Sequence, residues 1–333
     1  VLFSIHVPAR NAEEISRRAV AAEALGFHAM FFADGHLNNL DGFQAMTVCA
    51  LRTEKLRFGI AATTMAYRDP TTLALSAATS NEFSDGRAIL GLATGDGSTY
   101  RLGRKATRLA DFAAGLANIR ELLGGRSIEV PRGEEGAGAA SLNVGKLPVP
   151  IYVASVGPRS LRVAGRYADG IMLGTGFDLD VLEWAQAHVA AGAREDGRDL
   201  SDIDIAMAGM ICVDRDGARA HERVRPRLVN RVHHNFRFTT ETVPPDELPG
   251  VKRFMAGFDI SKPLEERADP SLITDYMLRR FAITGTPEEC LTRVRELAEA
   301  GVKHLLLTPP MRVLDEVMDL WGREVIPGCA DLE

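Results

Sequence analysis

The chain reads as an α/β protein, a (β/α)8 TIM barrel with insertion segments. Two observations predict it. Short apolar runs alternate with longer amphipathic segments, and eight such runs begin near residues 2, 29, 57, 88, 150, 170, 204 and 304. Strand–helix–strand order with short links implies parallel pairing through right-handed crossovers. The competing architecture, an open doubly wound sheet, is disfavoured because no Gly-x-Gly-x-x-Gly follows the first run. Eight βα-like units are what a closed barrel needs. The 333 residues are expected to form one domain, 1–333, with insertions at about 124–147 and 241–270.

Leu2–Val7 reads as the first strand. Ala12–Leu25 follows as a helix, with Asn11 as N-cap and Gly26 as its stop. Ile15, Ala19, Ala22 and Leu25 fall on one face of it. Ala29–Ala33 is the second strand and Gly42–Leu51 the next helix. Leu56–Thr63 is the third strand, and Pro70 opens a helix to Phe83 as a good first-turn residue. Arg87–Ala93 is the fourth strand and Lys105–Leu123 a helix. Gly124–Leu147, rich in Gly and charge, reads as an inserted hairpin or lid. Pro150–Ser155, Pro158–Tyr167, Gly170–Gly174, Leu179–Glu195, Ile203–Val213 and Ala218–Phe236 continue the alternation. Glu241–Pro270 reads as irregular. Thr286 caps a helix to Ala300, with Pro287 at its first position and Glu288 and Glu289 in its first turn. Lys303–Thr308 is the last strand, and Arg312–Val325 closes the chain.

Apolar residues make up 46% and charged residues 25%, an ordinary globular balance. The net charge of −6 argues against a nucleic-acid partner and a polybasic membrane surface. No run approaches the ~18 apolar residues of a membrane helix. The start of the chain lacks a signal-peptide pattern. Cys49, Cys212, Cys290 and Cys329 are scattered with no C-x-x-C, so free thiols are expected rather than a metal site. A cytoplasmic protein is the expectation.

In a barrel of this class the chemistry sits on loops after the strands. Those loops carry Asp34-Gly35-His36, Ala61-Ala62-Thr63-Thr64, Thr94-Gly95-Asp96-Gly97-Ser98-Thr99, Ala154-Ser155-Val156-Gly157 and Gly174-Thr175-Gly176. Small residues on one rim let a flat ligand approach the backbone, although the same residues also favour ordinary turns. Gly157-Pro158-Arg159-Ser160 opens a helix whose free N–H groups suit an anion, or simply turns the chain. His36 and Asp96 are the acid/base candidates, because histidine titrates near neutrality and burial raises a carboxyl. Helix capping is the plainer role for Asp34 and Asp96. His233 and His234 point to different sides of a helix and are read as structural.

Three longer blocks resemble a known family. They are RFGIAATTMAYRDPTTLALSAATSNEFSDGRAILGLATGD (Arg57–Asp96), PVPIYVASVGPRSLRVAGRYADGIML (Pro148–Leu173) and ITGTPEECLTRVRELAEAGVKHLLL (Ile283–Leu307). Under a third of the chain, in the right order and spacing, resembles the luciferase-like monooxygenase superfamily. The likeness is greatest to its coenzyme F420-dependent methylenetetrahydromethanopterin reductase-like branch. The resemblance implies a cofactor-binding set. Asp34 is the acidic residue near the cofactor ring, and Ala61 and Ala62 are joined by a cis peptide that bulges behind it. Thr94 and Asp96 line the ring, with Asp96 a proton donor in some members. Ala154, Ser155, Val156 and Gly157 hold the cofactor tail, and Gly174 and Thr175 complete its phosphate side. Thr63, Gly95 and Thr99 share the rim and are counted with them. Two departures stand out: Gly35 separates Asp34 from His36, and Met65 replaces the family's proline. The resemblance also suggests a homodimer.

The reading is therefore an oxidoreductase moving hydride between reduced coenzyme F420 and a small organic substrate. The alternative is an FMN-dependent monooxygenase using dioxygen. From other classes come a non-redox lyase or isomerase and a flavin-binding protein without catalysis. The absence of a lysine on the predicted active rim argues against a Schiff-base lyase.

Overall fold

The computed structural model describes residues 1–35, 38–95, 97–131, 136–263 and 266–332. Eight parallel strands close on themselves, in the order β1 (Leu2–Val7), β2 (Ala29–Phe32), β3 (Arg57–Ile60), β4 (Ala88–Ala93), β5 (Ile151–Ser155), β6 (Gly170–Leu173), β7 (Asp204–Val213) and β8 (His304–Thr308). The closing pairs are Ile5 with Leu307 and Met207 with Leu173. This is the (β/α)8 barrel that the sequence predicts.

Period-two alternation sorts each strand's side chains. On β1, Phe3, Ile5 and Val7 join the large apolar core between strands and helices. Ser4 and His6 take the alternate, inward positions. Inside the barrel a second cluster forms from Phe31, Ile89, Tyr152, Met172, Ala206, Ala208 and Leu306. The interior is thus a packed layer, not a pore.

Local chemistry sets the helices. Asn11 accepts from the Glu14 N–H at 2.8 Å and starts α1 (Ala12–Ala24), and Gly26 beyond its end has φ +82°. Asp69 caps α3 (Pro70–Phe83), which follows α2 (Gly42–Ala50). A reciprocal box between Thr286 and Glu289 caps the helix Pro287–Glu299. All four cysteines are buried free thiols.

The inserted stretch is a hairpin, Ile128–Pro131 against Ala137–Ala140, one of the two forms expected of it. Three segments differ from the sequence reading. The proline-rich stretch contains a helix, Leu248–Gly257, because its proline sits in the first turn where no N–H is missed. The helix after β4 starts at Leu109, and a short turn of helix, Gly97–Arg101, precedes it. The closing helix spans only Leu314–Leu320 before widening into a π turn, Trp321–Val325.

The unassigned stretch before Thr286 holds a helix, Asp275–Phe281, and a strand, Ala282–Gly285. That strand pairs with Met210–Val213, the part of β7 that runs past its pairing with β6. The extension carries the long helix α7 (Gly217–Thr239) back over the mouth. There Arg231 reaches the Ala208 carbonyl, and Phe238 lies near Gly157 at the end of β5.

Candidate active site at the barrel mouth

Two polar clusters lie inside the barrel. The lower one sits at the N-terminal end. Ser4 Oγ is 2.7 Å from His304 Nε2, His304 Nδ1 is 2.6 Å from Asp204 Oδ2, and the Tyr152 hydroxyl donates to the same carboxylate at 2.6 Å. His28 meets the His304 ring edge to face. Gly170 makes this possible, since a side chain there would overlap the Tyr152 ring. The Ser–His–Asp order resembles a hydrolytic triad, but Ser4 and His304 are fully buried and no substrate reaches them. It also lies at the end of the barrel where polar residues serve stability.

The upper cluster surrounds the C-terminal ends of the strands. Its floor consists of small, partly exposed residues: Ala61, Ala62, Thr94, Gly95, Ala154, Val156 and Gly174. Beneath lies the sealed layer of Phe31, Ile89 and Met172. A flat ring would rest on such a floor with little steric cost.

The β3 exit shapes one wall. Gly59 pairs with Ile89 and Thr63 with Leu92, so β3 uses four steps where β4 uses three. The extra residue is a bulge at Ala61–Ala62, whose peptide bond is cis. Gly91 on β4 admits it, because a side chain there would overlap the Ile60 carbonyl oxygen. Beyond the bulge, Thr64 donates to the Thr94 carbonyl at 3.1 Å and ties the two strand ends together. Gly95 turns with φ +104°, and a side chain there would crowd the Thr99 hydroxyl.

Asp34 is buried, and its carboxylate is already held. Arg68 donates to it at 3.3 Å and Tyr67 at 3.4 Å, while Arg68 also binds Asp41 at 2.7 Å. Burial, reinforced by the Asp34 charge, pushes the Tyr67 phenol up to about 12. Arg68 and Tyr67 escaped the sequence reading, although both stand in MAYRDP between β3 and α3.

On the opposite wall, Ser155 lies 2.6 Å from Ser160, which in turn donates to the Gly157 carbonyl. Those hydroxyls are engaged. The hydroxyls of Thr99 and Thr175 are buried without a partner among the described residues. A buried hydroxyl left unpaired costs roughly 1–3 kcal/mol, so a ligand that pairs with it gains that back. Thr63 is fully buried beside them. His36 and Asp96, the acid/base candidates, lie outside the described residues.

Two further groups face the mouth and were missed. The His6 ring is bonded to the Ala61 carbonyl, and its Nε2 is buried without a partner among the described residues. Burial first, and the nearby Arg231 charge second, push it down to about 4, so it is neutral at pH 7. Burial pushes the Arg231 guanidinium down to about 10, still charged. The inward alternation of Ser4 and His6 was legible on β1. Nothing local distinguished Arg231 among the many basic residues of α7.

The chain is similar to proteins of known activity. It is 30% identical to 5,10-methylenetetrahydromethanopterin reductase of Methanolobus tindarius, over 96% of this chain and 98% of that protein. It is 28% identical to F420-dependent glucose-6-phosphate dehydrogenase 1 of Rhodococcus jostii, covering 86% and 83%. The solved structure of coenzyme F420 dependent tetrahydromethanopterin reductase from Methanopyrus kandleri superposes with a TM-score of 0.79 at 24% identity. It covers 100% of this chain and 99% of that one, and so shares its fold. Residues 3–304, from the first barrel strand to the start of the last, match the luciferase-like monooxygenase family, and the chain belongs to that family.

Proposed function

We propose that this chain is an oxidoreductase that moves hydride between reduced coenzyme F420 and a small organic substrate. The observation that carries the reading is the long match to relatives named as F420-dependent or as reductases of a pterin substrate. The mouth fits a flat cofactor. It offers a floor of alanine and glycine, a bulged wall at Ala61–Ala62, and the hydroxyls of Thr99 and Thr175, unpartnered among the described residues. The reading takes residues 1–333 as one catalytic domain and its working form as a homodimer in the cytoplasm.

When bound, the deazaflavin would accept or give the hydride, and the protein would supply orientation and electrostatics. Ala61, Ala62, Thr63, Thr94 and Gly95 would bear on the ring. Ala154, Ser155, Val156, Gly157, Gly174 and Thr175 would hold its tail, with Thr99 closing the near side. Asp34 would act through Arg68 and Tyr67, fixing the β2 and β3 loops around the ring. Asp96 and His36 remain the proposed proton carriers.

The second reading, an FMN-dependent monooxygenase, is supported by the family's own description. Isothermal titration of the apo protein with oxidised coenzyme F420 and with FMN, at matched salt, separates the two. Tight binding of the deazaflavin alone is expected. Tight binding of FMN alone would replace the first reading with the second, and binding of neither would sink both.

A further inference from the structure

The guanidinium of Arg231 makes fewer hydrogen bonds than those of Arg87, Arg198, Arg18, Arg68 and the fully buried Arg280, which donates to the Tyr276 and Thr239 hydroxyls. Arg87 spends its donors on the carbonyls of Ala50, Thr53, Leu56 and Ser84 and on the Thr53 hydroxyl. Arg198 bonds the carbonyls of Gly165, Arg166 and Ala168. Arg18 and Arg68 each face two carboxylates. Arg231 makes one bond, at 3.1 Å to the Ala208 carbonyl, and no ion pair among the described residues. Ala208 stands one residue past the last β6–β7 pair, Leu173 with Met207, where the ladder has opened. That single bond leaves most of the five guanidinium donors unspent.

Arg231 is half-buried, and a cation partly drawn out of water gains from an opposite charge that joins it. This one stands at the mouth of the barrel, near His6. The His6 ring bonds the Ala61 carbonyl, a contact that needs an N–H on the ring. In a neutral ring the other nitrogen, Nε2, is then an acceptor, and it is buried without a partner among the described residues. Register puts Ser4, Leu306 and Ala208 on one level, so His6 stands one inward step above the carbonyl that ties Arg231, and an unspent cation and an unspent acceptor share the mouth beside the bulged wall. Their complement is a small molecule that carries an oxyanion and, next to it, a hydroxyl.

We propose that Arg231 and His6 form an oxyanion subsite that holds the carboxylate or phosphate of a hydroxylated small substrate at the barrel mouth. The fork of Arg231 would grip two oxygens of the anion, as planar guanidinium does. His6 would accept the neighbouring hydroxyl proton as a hydrogen bond. The inference rests on the oxidoreductase reading for the word substrate, but the subsite itself is testable without it.

The test is isothermal titration with inorganic phosphate, glycolate and acetate. It uses the wild type, Arg231→Gln and Arg231→Lys, each as apo protein and each loaded with oxidised coenzyme F420. At least one anion should bind the wild type, and glycolate more tightly than acetate. Arg231→Gln should weaken that binding about tenfold or more, the loss expected for one charge-assisted hydrogen-bonded pair. Arg231→Lys should retain part of it, and both variants should bind the coenzyme as the wild type does. Equal anion affinity in the wild type and Arg231→Gln would overturn the proposal, as would no anion binding to the wild type in either form. Lost coenzyme affinity in Arg231→Gln with anion affinity intact would also overturn it and give the guanidinium to the cofactor. Failure of the coenzyme to bind the wild type strikes the proposed function instead, and the apo titrations then decide the subsite alone.

Discussion

The two ends of the barrel are built from the same residue types and treat them in opposite ways. At the N-terminal end, Ser4, His304, Asp204 and Tyr152 saturate one another, with both His304 nitrogens engaged. At the C-terminal end, His6 Nε2 and the hydroxyls of Thr99 and Thr175 are buried and unpaired among the described residues, and Arg231 uses one bond. Ser4 and His6 are two residues apart on one strand. A saturated network stiffens a core, whereas a partly satisfied one stores a cost that a ligand relieves. Geometry that looks catalytic can thus mark the structural end, and incomplete bonding the functional one.

The largest expected effect is acid loss of stability, which divides between the ends. His6 at the top and His28 at the bottom are both held down to about 4 by burial. Above pH 6.5 each is neutral folded or unfolded. As pH falls from about 6.5 toward 4, the unfolded chain takes up protons that the native state refuses, so stability falls by a few kcal/mol. Urea unfolding at stepped pH should show this slope, and His6→Gln and His28→Gln should each remove part of it. A flat profile in the wild type would mean that neither ring is held neutral.

His304→Ala should cost roughly 3 kcal/mol, because it opens a cavity, leaves Ser4 unpaired and leaves the Asp204 carboxylate with Tyr152 alone. A lower urea midpoint at unchanged slope would register it. A loss below about 0.5 kcal/mol, the range of ordinary surface changes, would refute the structural reading of the lower cluster.

Gly91→Ala should cost about 1–3 kcal/mol, since its methyl group would collide with the Ile60 carbonyl behind the bulge. It should also weaken coenzyme binding, because the bulged wall must shift. Stability lost without any change in binding would separate the wall from the cofactor.

The sharpest contrast is the smallest. Ser4→Ala should lose about 1 kcal/mol, the usual worth of a satisfied hydrogen bond. Thr175→Val should change apo stability by under about 0.5 kcal/mol, because its hydroxyl has no partner to lose among the described residues. Only Thr175→Val should weaken the coenzyme. Equal stability losses in the two variants would erase the distinction between the ends.

How much of this was legible in the sequence follows from the range of the forces involved. Hydrophobic periodicity is local, so the eight strand positions, the Asn11 and Thr286 caps and the Pro70 and Pro158 starts could be read directly. The rim of small residues was legible for the same reason, because strand ends announce where the rim is. The helix Leu248–Gly257 was hidden by prolines that read as breakers, although one of them occupies a first turn. The strand Ala282–Gly285 was hidden because it is only four residues long and its meaning depends on the overhang of β7.

By itself, then, the sequence determined the barrel, its order of elements and which rim carries the site, since each follows from spacing along the chain. Only the tertiary structure decided which polar groups find partners. His6 and Arg231 lie 225 positions apart, and Ser4 and His304 300 apart. Whether a buried donor or acceptor is satisfied depends on what closure of the barrel brings within about 3 Å, a distance no local pattern encodes.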